Sequence, residues 1–241
     1  MRGVFCLMLL LVWSGDAQAA EALAVARVLS GDSFQLADGR TVRLQGVKAP
    51  DAAALAEASR QALQDWLGQR KVTLAHEGMD RYGRVTATVY GEDNAQETAQ
   101  AAMVRAGQVF VFPPLGAAEE LAALFKLEAA ARAARRGLWA EALYADLAAD
   151  GARIAAGRFV FVRGTIRDAA RVKNKVYLNF GADWRTDFTA QIATKDLRLF
   201  KKAGLDPMTL KGKTVRVRGV AQPMFGPMIA LTQPAQLELI E

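Results

Sequence analysis

The chain has 241 residues, 52% hydrophobic and 23% charged, which excludes a disordered protein and leaves room for one large domain or two small ones. Its formal charge is +6, and its single Cys and single His exclude an internal disulfide, a multi-Cys zinc site and a His-rich metal site. Any catalysis therefore has to rest on carboxylates and arginines.

Residues 1–19 read as a secretory signal peptide. Arg2 is followed by the apolar run Val4–Trp13 and by Ala17-Gln18-Ala19, a small-residue cleavage pattern. The run is shorter than the ~20 apolar residues of a membrane span; an uncleaved anchor or a buried first helix is the alternative. Cys6 falls inside it, so the mature chain is expected to have no Cys. The expectation is an exported protein, periplasmic or secreted, with no membrane contact after cleavage.

Short strands are expected at Val25–Leu29, Phe34–Leu36 and Thr41–Val47, with Asp38-Gly39 as the hairpin turn, since both residues tolerate positive φ. Pro50 ends the third strand. Residues 51–67 place Leu55, Ala62, Leu63, Trp66 and Leu67 at helical spacing. Lys71–Ala75 and Val85–Tyr90 read as strands around the polar turn Asp80-Arg81-Tyr82-Gly83-Arg84. Asn94 and Glu97 form a helix-start signature, with Gly107 as that helix's end. Val109–Phe112 is a short apolar strand, and Leu121–Arg136 an Ala-rich helix closed by Gly137. This order suits a small β-barrel buttressed by helices.

Residues 140–156 read as a short helical linker. Beyond it, strands are expected at Phe159–Ile166, Val176–Phe180, Phe188–Ile192, Val215–Val220, Met228–Thr232 and Leu237–Ile240, with a helix at Thr194–Ala203 between the third and fourth. Met224, Phe225 and Met228 read as a loop packing on this second barrel. Charge divides the chain in the same place. Residues 20–149 hold 14 Lys and Arg against 16 Asp and Glu, whereas residues 150–241 hold 16 against 8. A basic module beside a near-neutral one points to two domains, and to a polyanion or merely a solvated face for the second.

Three fragments carry candidate chemistry: Ser30-Gly31-Asp32-Ser33, Val42-Arg43-Leu44-Gln45-Gly46-Val47-Lys48-Ala49-Pro50-Asp51 and Asp80-Arg81-Tyr82-Gly83-Arg84. Each alone is an ordinary turn or strand residue set. Together, and with Phe110-Val111-Phe112 and Gly137-Leu138-Trp139, they resemble the staphylococcal nuclease family over roughly residues 25–140. The resemblance implies an α+β fold, an OB-type five-stranded β-barrel with three helices, and calcium-dependent hydrolysis of DNA and RNA phosphodiesters. It matches Arg43 and Arg84 to the two arginines that clamp charge on the phosphoryl oxygens, and Asp32 to a metal-ligating carboxylate. Asp51 falls at the general base, a Glu in the family. Ala49 falls where a main-chain carbonyl reaches the metal, and Arg81, Tyr82, Phe110 and Phe112 fall at nucleotide-holding positions.

Three departures stand out. Lys48 replaces the second metal-ligating Asp, a swing of two charge units, where calcium takes roughly six to eight oxygen ligands. Asp51 is one methylene shorter than Glu, and a base displaced by about 1 Å loses roughly 100-fold in rate. Phe110 and Phe112 stand where the family has tyrosines. The departures count against calcium and leave two readings of Lys48: an ammonium standing in for part of the cation, or a site that binds without cleaving.

The C-terminal part is similar to an extension of exported thermonuclease-like proteins, ending in Gly226–Glu238, which implies a second small OB-like barrel. Lys173-Asn174-Lys175 reads as a basic hairpin tip, with Arg171, Arg185, Tyr177, Phe180 and Trp184 nearby, a combination that suits single-stranded nucleic acid. The expected division is 1–19 signal peptide, 20–140 nuclease-like domain, 141–156 linker and 157–241 basic domain. The expected function is phosphodiester hydrolysis of DNA or RNA, preferably single-stranded, with weakened or altered metal dependence. The alternative is a non-catalytic nucleic-acid-binding protein on the same scaffold.

Overall fold

The computed structural model describes residues 21–112, 118–149, 157–183 and 185–240. The signal segment with Cys6, Pro113-Pro114, residues 150–156 and Trp184 lie outside them. β1 (Val25–Ser30), β2 (Ser33–Leu36) and β3 (Thr41–Leu44) form the expected antiparallel meander, with Phe34 opposite Val42. The Asp38-Gly39 turn closes as expected, with the Gly39 N–H donating to the Leu36 carbonyl at 3.0 Å. Phe34, Leu36, Val42 and Leu44 point inward and are almost fully buried.

β3 ends earlier than its apolar pattern predicts. Gly46 adopts a φ of +78°, a conformation that costs glycine nothing, and the chain turns there. β4 (Val47–Lys48) then leaves the meander and pairs with β8 (Phe110–Val111), Val47 against Val111 and Lys48 against Phe110. In between, α1 (Ala53–Leu67) buries Ser59, Leu63 and Leu67, one face of the helix at four-residue spacing. β5 (Val72–Met79) and β6 (Val85–Gly91) flank the polar turn, and β6 runs parallel to β3.

The helix start expected at Asn94 is a strand instead, β7 (Asn94–Thr98), paired to β6. α2 (Ala99–Arg105) begins only after Thr98, whose hydroxyl accepts from the Ala101 N–H at 3.0 Å. α3 (Ala118–Ala133) follows β8. The strand order is β1-β2-β3-β6-β5, with β7 on β6. An antiparallel bridge from Leu23 to Val72 joins the segment entering β1 to β5, at the other end of that order.

In the expected helical linker, Asp146–Ala148 forms β9, parallel to β10 (Phe159–Thr165). β11 (Asp168–Val172) is a strand that no alternation announces, its sequence being Asp-Ala-Ala-Arg-Val; it pairs with β12 (Lys175–Asn179). With β13 (Thr189–Ala193), four strands counted from β10 precede α4 (Leu197–Lys202), not three. β14 (Thr214–Met224), β15 (Gly226–Leu231) and β16 (Leu237–Leu239) complete the second sheet, in the order β11-β12-β13-β15-β14-β10-β9 with β16 on β14. Of the three residues expected to pack there, Met228 is buried, while Phe225 at the β14–β15 tip is 82% exposed.

The fold is thus mixed α+β. Each of the two larger sheets has its own apolar core, and a third cluster lies between them: Phe110, Ala131, Leu138, Trp139, Tyr144, Phe159 and Phe161. β10 buries both faces, Val160 and Val162 in the second core and Phe159 and Phe161 in the third. Phe110 stacks on Phe159 with ring centroids 4.2 Å apart and meets Phe161 edge-on at 5.9 Å. A buried ion pair crosses the same boundary. Arg218 of β14 meets Glu128 of α3 at 2.6 Å, both side chains at most 4% exposed. They hold β8 from both sides: the Val111 N–H donates to Glu128 Oε1 at 2.8 Å, and its carbonyl accepts from Arg218 Nη1 at 3.0 Å. Among the described residues no helix is long and apolar enough to cross a membrane.

Candidate functional site

The turn between β1 and β2 presents Asp32, and Gly31 lets that turn press directly on α1: a Cβ at Gly31 would collide with the Ser59 side chain. Asp32 Oδ1 accepts from the Ser30 hydroxyl at 2.6 Å, and Oδ2 from the Ala49 N–H at 3.2 Å. Arg43 Nη2 lies 3.7 Å from Asp32 Oδ2 and donates to the Val47 carbonyl at 3.2 Å. Asp32 and Arg43 therefore hold the Val47–Asp51 loop at two points along its backbone. Within that loop Lys48 Nζ donates to Asp51 Oδ1 at 2.6 Å, and the Asp51 N–H donates to the Tyr144 hydroxyl at 3.1 Å.

Arg84 leads into β6, the strand that runs beside β3. Arg43 pairs with Thr86 across the parallel β3–β6 ladder, and both point away from the buried Val42, Leu44 and Val85. Arg84 ends the polar turn just before β6, two residues ahead of Thr86. Asp80 fixes it. Its carboxylate takes Arg84 Nε and Nη2, both at 2.7 Å, and the N–H groups of Tyr82 and Arg84 at 2.9 and 3.1 Å. Burial works against the Asp80 charge, but these donors outweigh it and hold its carboxyl below the usual carboxylate range. Tyr82 stands out into solvent, 68% exposed, with the Arg81 and Arg84 guanidinium carbons 5.0 and 5.4 Å from its ring centroid.

The structure thus brings Asp32, Arg43, Lys48 and Asp51 together and sets Arg84, Arg81 and Tyr82 on a neighbouring turn. Phe110 is not a surface residue: it is fully buried under Phe159 and offers no face to a base. Phe112, half-buried, meets Phe159 edge-on at 5.3 Å. Lys173 and Lys175 do form a hairpin tip, where Val172 pairs with Lys175; Lys173 has φ +51° and Lys175 donates to Gln191 at 3.0 Å. Phe180 follows the opposite end of β12, away from this tip, and is a core residue. A cleft of about 940 Å³ between α3, α4 and the second sheet is lined by none of these candidates. Asp80 lies in the polar turn with no role legible from its neighbours in sequence, and Tyr144 carries no local signal.

The donor set does not fit a calcium ion. Both carboxylates of the loop region already face a cation, Asp32 facing Arg43 and Asp51 facing Lys48. Among the described residues no group of three or more His, Cys, Asp or Glu could hold a metal. Hard divalent cations need several anionic oxygens at once, and here the Lys48 ammonium occupies Asp51 Oδ1.

Residues 41–141 match the staphylococcal nuclease homologue family. An Escherichia coli protein called an uncharacterized endonuclease is 31% identical over 122 residues, 49% of this chain and 76% of its own length. The chain belongs to the staphylococcal nuclease family. A relative from Escherichia coli O157:H7 with the same description matches over the same shares, and Protein ParB of Escherichia coli is 32% identical over 127 residues, 48% of this chain and 71% of its own. Members of this family are nucleases and are in general calcium-dependent. The family match ends at residue 141, which leaves Tyr144 and the whole second sheet outside it.

Proposed function

We propose that this chain hydrolyses nucleic-acid phosphodiester bonds with a lysine ammonium doing part of the work of a cation. The observation that carries the reading is the 2.6 Å contact of Lys48 with Asp51 beside the Asp32–Arg43 pair, with Arg84 immediately before the strand that pairs with β3. Arg43 and Arg84 hold the nonbridging phosphoryl oxygens with charge-assisted hydrogen bonds. Water gives a proton to Asp51 as its oxygen bonds to phosphorus, the bond to the leaving oxygen breaks, and that oxygen takes a proton from solvent. Lys48, released from Asp51 as that carboxylate is protonated, offsets the charge growing on the phosphoryl group.

The substrate is DNA or RNA, single-stranded by preference, with Arg81, Tyr82 and Phe112 beside the nucleotide and Lys173 and Lys175 gripping phosphates further along. The Leu23–Val72 bridge supports an OB-type barrel for the first part, with a second OB-like barrel after it. Under this reading residues 20–140 and 157–241 are the two domains, and cleavage of residues 1–19 delivers the protein to the periplasm or beyond.

A second reading has its own support. Each loop-region carboxylate is already neutralised by a cation, which suits a surface that binds nucleic acid without cutting it. A nuclease assay on single-stranded DNA and RNA, run with calcium, with magnesium and with chelator, separates the two. Hydrolysis is expected to persist in chelator and to fall by roughly 10²–10³ in Arg84→Ala. Binding that weakens steeply with salt, with no cleavage under any condition, would establish the second reading instead.

A further inference from the structure

Asp51 stands in an exposed loop, its side chain 57% accessible, so nothing in its immediate surroundings fixes it by packing. Two hydrogen bonds do. Its carboxylate takes Lys48, and its N–H reaches Tyr144, 93 residues later in the chain. Tyr144 is 4% exposed, and its ring meets Phe110 at 5.7 Å within the aromatic cluster between the sheets. Phe110 in turn pairs through its backbone with Lys48. Both partners of the Lys48–Asp51 contact are therefore referred to one rigid cluster, Lys48 through the β4–β8 ladder and Asp51 through a single hydroxyl.

We propose that Tyr144 is a positioning residue for Asp51, holding it where it faces Lys48 and the attacking water. The inference rests on the hydrolase reading above. The ring alone would fill the cluster; among the described residues the hydroxyl's hydrogen bond is with the Asp51 N–H, which it accepts. A displacement of about 1 Å in a reacting group costs roughly 100-fold, so freeing the loop by one bond is expected to cost about tenfold.

The test is Tyr144→Phe in the full chain, which keeps the ring and removes the oxygen. Steady-state cleavage of a single-stranded DNA oligonucleotide should show kcat lower by about tenfold with KM little changed. Amide hydrogen exchange should accelerate at Asp51 while the interior of α1 keeps its protection. An active wild type with unimpaired Tyr144→Phe turnover, or a loss confined to KM, overturns this role alone. Unaltered exchange at Asp51 overturns the hydrogen bond on which it depends. A wild-type chain without activity overturns the hydrolase reading, and this role with it.

Discussion

Glu128 and Arg218 give a prediction whose size follows from the structure. Glu128→Leu leaves the Arg218 guanidinium buried at 3% exposure with no full counter-charge, since Glu238 lies 3.6 Å away and is half exposed. It also strands the Val111 N–H. Breaking a buried pair from one side costs about 3–5 kcal/mol, and a stranded N–H supplies about 1–3 of that. Arg218→Met should cost a similar amount, because it leaves the Glu128 carboxylate buried and the Val111 carbonyl without its donor. The double variant removes both charges, and an apolar pair of similar volume is often close to neutral. Its cost should come mainly from the two Val111 groups, roughly 2–4 kcal/mol, well short of the sum of the singles. Urea unfolding followed by tryptophan fluorescence and circular dichroism measures this. With a slope of about 2–3 kcal/mol per molar urea, each single variant should lower the midpoint by roughly 1–2 M. Single variants within about 1 kcal/mol of wild type, or strictly additive costs, would refute the reasoning.

Two further outcomes are expected. Lys48→Asp places three carboxylates where the donor set now fails, so calcium should raise the melting temperature of this variant and not of wild type; at a concentration of about 100 times Kd the gain is roughly 2.7 kcal/mol, and an unresponsive variant would contradict the charge argument. The second concerns acid stability. Burial raises the Asp146 pKa, but Arg216 and Arg132 outweigh it and hold the carboxyl below its usual range, as donors do for Asp80. A depressed carboxyl contributes stability that is fully present above the unfolded value of about 3.9 and is lost as pH falls through the lower folded value. Asp146→Asn should therefore flatten the loss of stability below about pH 4, and an unchanged acid slope would count against the Arg132–Asp146–Arg216 cluster.

Much of the first part was legible because its signals are local. Alternation set β5 and β6, Asp38-Gly39 set the hairpin between β2 and β3, and helical apolar spacing set α1, so each needed only neighbours in sequence. The site's residue types were legible for the same reason, since Asp32, Arg43, Asp51 and Arg84 sit in short fragments at turns. What failed depended on distant partners. Asn94–Thr98 carries a helix-start signature, but pairing with β6 offers its backbone more than a cap does, so it became a strand. Asp168–Val172 has no alternation and is a strand only because β12 lies beside it.

By itself, then, the sequence determined those element types that local signals carry, and the family. Only the tertiary structure decided what the side chains face. Phe110 reads like a base-stacking aromatic until β10 lays Phe159 across it. Lys48 reads like a lost metal ligand until Asp51 is found 2.6 Å away. Tyr144 and Arg218 have no signature at all, because a hydrogen bond spanning 93 residues and an ion pair spanning 90 follow from how two sheets pack, and periodicity carries no record of that packing.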